Sequence, residues 1–136
     1  MAAIKIAVVV GSNRRESINR RLADALVRLG GRNLEFKFVR IDDLPLYNQD
    51  DESNLPANVA RFKTEIAVAD GVLFVTPEHS RSIPAVLKNA IDWGARPWGK
   101  NCWSGKPRSP VPRQVRSRRR WRSSTFARSL VPRVFC

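Results

Sequence analysis

The chain has 136 residues, 43% of them hydrophobic, with 25 Lys and Arg against 12 Asp and Glu and only two cysteines. That length holds one domain at most, and it buries a single core only if most of the chain takes part. Cys102 and Cys136 lack CxxC or CxxH spacing, which argues against a zinc site or a disulfide framework and makes a reducing cytoplasm the expected setting. The formal charge of +13 is unevenly placed: residues 1–106 hold 16 Lys and Arg against 12 acids, whereas residues 107–136 hold nine Arg, no Lys and no acid. The first balance is ordinary for an enzyme of phosphorylated ligands, so the basicity belongs to the tail. No apolar run reaches membrane-spanning length, and Ile6 to Val10 is too short and wrongly flanked for a signal peptide.

The β-branched run Ile4 to Val10 reads as a buried parallel strand that breaks at Gly11 into Ser12-Asn13-Arg14-Arg15-Glu16-Ser17. Ile18, Leu22, Leu26 and Leu29 then recur at helical spacing, and Gly30-Gly31 closes that helix. A helix launched straight from a buried strand aims unpaired N–H groups and its positive dipole end at whatever lies over the strand's carboxyl end, so an anion is the natural occupant. Ser12 and Ser17 supply hydroxyls, Asn19 an amide and Arg14 a fork suited to phosphate. Gly11 stands alone, so the turn is neither a Walker A loop nor a GxGxxG fingerprint, and it suits a terminal monophosphate.

Leu34 to Ile41 alternates apolar and charged residues, as a half-exposed strand near a sheet edge does. Asp42 to Tyr47 leaves the sheet as a loop, and Asn48 to Asn54 continues it. Pro56 is placed as the first residue of a helix with Val59, Phe62, Ile66 and Ala69 inward, and Asp70-Gly71 turns the chain back. Val72 to Thr76 forms a second apolar strand. A polar loop, Glu78 to Ser82, follows, and a helix begun at Pro84 turns Val86, Leu87, Ala90 and Ile91 inward. Two strand-loop-helix units predict an α/β doubly wound parallel sheet whose two loops meet at a ligand crevice.

These residues resemble the flavodoxin-like NAD(P)H-dependent FMN reductases, which include chromate and quinone reductases. Gly11 to Asn19 is similar to the family's GSxRxxSxN phosphate loop, and Thr76 to Trp93 to its TPEYNxSxPxxLKNAIDW segment, within a resemblance that covers residues 4 to about 106. It implies a flavodoxin-like fold in which Ser12, Arg14, Ser17 and Asn19 hold the FMN phosphate and Pro77, Glu78, His79, Ser80 and Ser82 lie along the flavin ring. His79 stands where the family has Tyr, and Ser80 where it has Asn; His79 either meets the flavin or is an exposed loop residue without a role. No catalytic side chain is assigned. Glu78 and Asp92 are not a credible acid/base pair, because Asp92 lies well down the following helix, and Asp92 and Trp93 are expected to be structural. The resemblance further implies hydride transfer from NADPH or NADH through FMN to a quinone, chromate or similar small-molecule acceptor, in a homodimer or homotetramer.

The family continues after Gly105-Lys106-Pro107 with further strands and helices, whereas Arg108 to Cys136 is dominated by Arg, Ser and Pro. The expectation is therefore a domain over residues 1–106, an Arg-rich tail over 107–136 that is disordered or read out of frame, and a sheet lacking its last two strands and helices. Weak FMN binding, or none, follows for the isolated chain. Two alternatives stay open: a nucleic-acid-binding protein acting through the tail, which the absence of any such module disfavours, and a non-catalytic flavin-binding remnant.

Overall fold

A computed structural model describes residues 3–106; the expectations for the tail lie outside the described residues. Strand β1 (Ile4–Val10), helix α1 (Ile18–Leu29), β2 (Leu34–Val39), α2 (Ala57–Ala67), β3 (Gly71–Val75) and α3 (Ala85–Ala95) follow one another in the predicted alternation. The described strands make a parallel sheet in the order β2-β1-β3, with Val9 opposite Val39 on one side and Phe74 on the other. This is a flavodoxin-like α/β arrangement.

Alternation along β1 builds three layers. Ala7 and Val9 face a core shared with α2 and α3, which holds Val59, Phe62, Ile66, Leu87, Ala90 and Trp93. Val8 and Val10 face the opposite side, where Ala23 of α1 packs against Leu73 and Val75. The period of two along the strand thus assigns one helix to one face and two to the other.

Three local readings shift. The helix predicted from Ile18, Leu22, Leu26 and Leu29 forms, yet Ile18 and Leu29 are 73% and 83% exposed among the described residues. The face that packs is the neighbouring one, where the small side chain of Ala23 lets α1 approach the sheet and Leu26 and Val27 flank it. Pro56 and Pro84 each stand one residue before their helix: ψ of 143° and 150° keeps them extended while their carbonyls accept the first helical N–H bonds, from Val59 and Leu87 at 2.9 and 3.0 Å. A proline has no N–H to leave unpaired there. Finally, the loop after Asn48 contains a 3-10 turn, Gln49–Glu52, which begins where the Asn48 side chain accepts a bond from the Asp50 N–H.

Helix α3 and the residue after it grip the loop that follows β2. The Asn89 side chain accepts a bond from the Tyr47 N–H at 2.8 Å and donates to the Pro45 carbonyl at 2.9 Å. The fully buried Trp93 donates through Nε1 to the same Pro45 carbonyl. Arg96 joins Glu52 at 3.0 Å and the Tyr47 hydroxyl at 3.1 Å; these partners, the hydroxyl first, raise the guanidinium above its ordinary range. Asp92 pairs with Lys88 one turn earlier at 2.6 Å. Trp93 is therefore a core residue, as expected of it, while Asp92 makes a surface pair within its own helix.

The last described residues return to the core. Trp103 is 2% exposed, and Lys106 Nζ donates to the carbonyls of Ala67 and Ala69 at the end of α2. A cation placed on the last carbonyls of a helix complements its negative dipole end. Cys102, packed beside Trp103, is buried enough to push its thiol up to about 11. No described helix is long and apolar enough to cross a membrane.

Candidate functional site

The central strand ends at Gly11, whose N–H donates to the Val75 carbonyl at 2.8 Å and so carries the β1–β3 pairing into the turn. A Cβ at Gly11 would lie 2.3 Å from Thr76 Oγ1 and 3.0 Å from Leu87 Cδ2. The missing side chain lets the first turn and the start of the second loop touch. Beyond Gly11, the Ser12 hydroxyl accepts a bond from the Arg14 N–H at 3.4 Å. Ser17 is 4% exposed and caps α1, its hydroxyl accepting from the Arg20 N–H at 3.3 Å. The first turn of α1 contains no acidic residue to oppose the positive end of its dipole.

A cleft of about 490 Å³ opens over this edge. Ser12, Asn13, Arg14 and Arg15 of the turn line it, with Arg20 from the first turn of α1 and Arg40 and Asp42 just past β2. Its apolar lining comes from Val10, Phe38, Val39, Ile41 and Val86. Arg20 lies over the Phe38 ring, with its guanidinium carbon 3.9 Å from the ring centre. Arg40 is held by Asp42 through bonds of 2.8 and 3.3 Å. That hydrogen bonding raises Arg40 above its usual range and holds the Asp42 carboxyl below the usual carboxylate range. Among the described residues the side chains of Arg14 and Arg15 have no charged partner. Arg20 lies 3.6 Å from Asp24 and Arg40 is paired with Asp42, so the positive charge left to attract an anion to the cleft is that of Arg14 and Arg15.

The second loop is a tight hairpin. His79 and Ser82 exchange backbone bonds of 2.9 and 2.8 Å, and the two residues between them, Ser80 and Arg81, sit at φ of 48° and 63°. Positive φ at both central positions is the type I′ geometry, which Asn-Gly fills without strain and Ser-Arg does not. Ser80→Asn is therefore expected to raise stability by roughly 0.5–1 kcal/mol, since asparagine tolerates the left-handed region. Thermal unfolding of the two chains checks this, and a lower midpoint for Ser80→Asn contradicts the turn assignment.

Of the residues named from sequence, Ser12 and Arg14 line the cleft, while Ser17 and Asn19 occupy the cap and first turn of α1. Pro77 is half-buried, and Glu78, His79, Ser80 and Ser82 are exposed on the second loop, outside the cleft lining. The two loops start from adjacent parallel strands and meet at the Gly11–Thr76 contact. Sequence reasoning missed Arg15, Arg20, Arg40 and Asp42. Arg40 and Asp42 reach the cleft because Val39 pairs with Val9, a register that no local pattern announces.

The sheet order and the anion-accepting turn at its carboxyl edge define a flavodoxin-like α/β protein. The profile of the NADPH-dependent FMN reductases matches residues 4–119, past the limit at residue 106 expected from the motifs. The chain belongs to that family. It is 57% identical over 105 residues to a 2-hydroxy-1,4-benzoquinone reductase from Burkholderia sp, covering 77% of this chain and 57% of the relative. A quinone reductase from Pseudomonas putida is 56% identical over 107 residues, 78% of this chain and 58% of its own. Among solved structures, the flavoenzyme NAD(P)H:(acceptor) oxidoreductase FerB from Paracoccus denitrificans superposes with a TM-score of 0.74 at 46% identity, covering 78% of this chain and 58% of that one. The chain thus spans less than three-fifths of the length of these relatives.

Proposed function

We propose that this protein is an FMN-containing oxidoreductase that passes hydride from NADPH or NADH to a quinone, chromate or similar small acceptor. The carrying observation is the turn from Gly11 to Ser17: backbone donors at the positive end of a helix whose first turn holds no acid, with Arg14 beside them and the second loop in contact. More than half of all aligned positions are shared with proteins named as quinone reductases. FMN, when bound, supplies the redox chemistry.

The residues of the chain hold and orient. Ser12 and Arg14 donate to the phosphate from the cleft side. Ser17, whose lone pair already caps α1, still has its own hydroxyl proton to donate, and Asn19 stands in the first turn of the helix. Pro77, Glu78, His79, Ser80 and Ser82 border the ring, where the fixed hairpin presents backbone and side-chain polar groups. A reducing cytoplasm and assembly into a homodimer or homotetramer complete the reading.

The test is an FMN titration of the full chain followed by loss of flavin fluorescence. Arg14→Ala removes one charge-assisted bond, so affinity should fall about 10- to 100-fold. The ratio decides, even where wild-type binding is weak. Saturable FMN binding that is equal in the wild-type chain and in Arg14→Ala overturns the reading. Oxidation of NADPH with benzoquinone then separates an enzyme from a flavin-binding remnant.

A further inference from the structure

Helix α1 is apolar on two faces. Ala23, Leu26 and Val27 pack toward the sheet. Ile18, Leu22, Ala25 and Leu29 recur at steps of four, three and four residues, so they lie beside one another along a second face, and all four are exposed among the described residues. At about 1.5 Å per residue this seam runs about 16 Å along the helix. A lone exposed leucine needs no explanation, whereas a contiguous apolar seam marks a contact surface. Arg21 and Arg28 border the seam on one side, and neither has a charged partner among the described residues. Asp24, the one carboxylate of the helix, is 3.6 Å from Arg20. This border selects the occupant. An antiparallel copy of α1 laid on the seam would set Arg21 against Arg28, and a parallel copy would bring them no free carboxylate. The seam offers on the order of a few hundred Å², below the roughly 800 Å² a side that a stable protein interface buries. An anionic lipid surface makes neither demand, because apolar side chains enter the acyl boundary while arginines reach back to the headgroups.

We propose that α1 is a peripheral docking helix that lies on an anionic phospholipid surface, with Ile18, Leu22, Ala25 and Leu29 turned into the bilayer and Arg21 and Arg28 on the headgroup phosphates. The helix has the features of such an element: a narrow apolar face, a basic border, and too little length to span a membrane. Its other face stays packed through Ala23, so docking requires no unfolding. The proposal stands apart from the flavin reading, since none of these side chains is assigned to the cofactor.

The test sediments the full chain with vesicles of phosphatidylcholine alone and of phosphatidylcholine mixed with phosphatidylserine, at low and at high salt. The Arg-rich tail adds an electrostatic attraction common to all variants, and high salt screens it. Partition to the mixed vesicles at low salt should be at least about tenfold stronger than to phosphatidylcholine alone. Ile18→Ser with Leu29→Ser should lose about tenfold or more, a loss that persists at high salt because it is apolar. Arg21→Glu with Arg28→Glu should lose about tenfold or more at low salt and less at high salt. All four positions are exposed, so thermal midpoints close to wild type show that the variants fold. In Leu29→Trp, brominated acyl chains should quench tryptophan emission beyond the level seen in the wild-type chain. Equal partition of the wild-type chain and the double serine variant would assign vesicle binding to the tail and overturn the proposal. So would absence of wild-type binding to the mixed vesicles, or Leu29→Trp emission that brominated lipid leaves unchanged. Self-association that the double serine variant abolishes, with vesicle binding unaltered, would give the seam to a second copy and likewise overturn it.

Discussion

Gly11→Ala is expected to cost about 3 kcal/mol of stability and to reduce FMN binding by at least about tenfold, although it adds a single methyl group. The new Cβ would stand 2.3 Å from Thr76 Oγ1 and 2.7 Å from Thr76 Cβ, distances that no rotamer change of the threonine relieves in full. Thr76 is 6% exposed and sits directly after β3, so it has little room to retreat. The turn must instead lift away from β3, which breaks the bond from the Gly11 N–H to the Val75 carbonyl and parts the two loops. No positive φ is involved at this position; the demand for glycine is one of close approach. Thr76→Gly in the Gly11→Ala background removes both clashing atoms and should recover part of the loss, with a coupling above about 1 kcal/mol in a double-mutant cycle by urea unfolding. Additive effects would show that the two loops are not in contact.

Gly94→Ala carries the other large effect, and here two physical terms oppose each other. Gly94 is inside α3, where alanine gains about 1 kcal/mol of helix propensity. The added Cβ, however, would lie 2.2 to 2.6 Å from the indole of Trp103. That indole is 2% exposed, donates to the Ile91 carbonyl at 3.2 Å and sits 5.8 Å from the Phe62 ring and 5.5 Å from the Phe74 ring. Displacing it forfeits packing of the kind whose loss costs about 3–5 kcal/mol, so the clash wins over propensity. The midpoint of thermal unfolding should fall by more than about 10 °C, with tryptophan emission shifted to the red as Trp103 leaves the core. A rise in the midpoint would mean that propensity dominates and that the Trp103 contact is loose.

Much of the fold is legible along the chain. Two apolar runs bounded by glycine and proline became β1 and β3, and the spacing of Val59, Phe62 and Ile66 marked the buried face of α2, with Ala69 buried just past its end. The side of α1 that packs was less legible. Of the stripe Ile18, Leu22, Leu26 and Leu29, only Leu26 packs against the core, and approach to the sheet selects Ala23, the residue with least bulk. Hydropathy ranks faces by apolar content, whereas packing ranks them by the distance they allow.

The candidate site divides in the same way. The turn from Gly11 to Asn19 and the loop after β3 are contiguous in sequence, and each announces itself by a break from apolar to polar residues. The chain alone therefore determined the alternation of strand and helix, the anion-accepting turn and the resemblance that suggests a flavin, since each is written in residues close together. Only the tertiary structure decided that Arg40 and Asp42 join Arg14 and Arg15 around one cleft, that glycine is required at 11 and 94, and that Ser80 and Arg81 adopt left-handed backbone. Those outcomes depend on strand register and on which atoms lie opposite a position, and both are set by contacts between residues far apart in the chain.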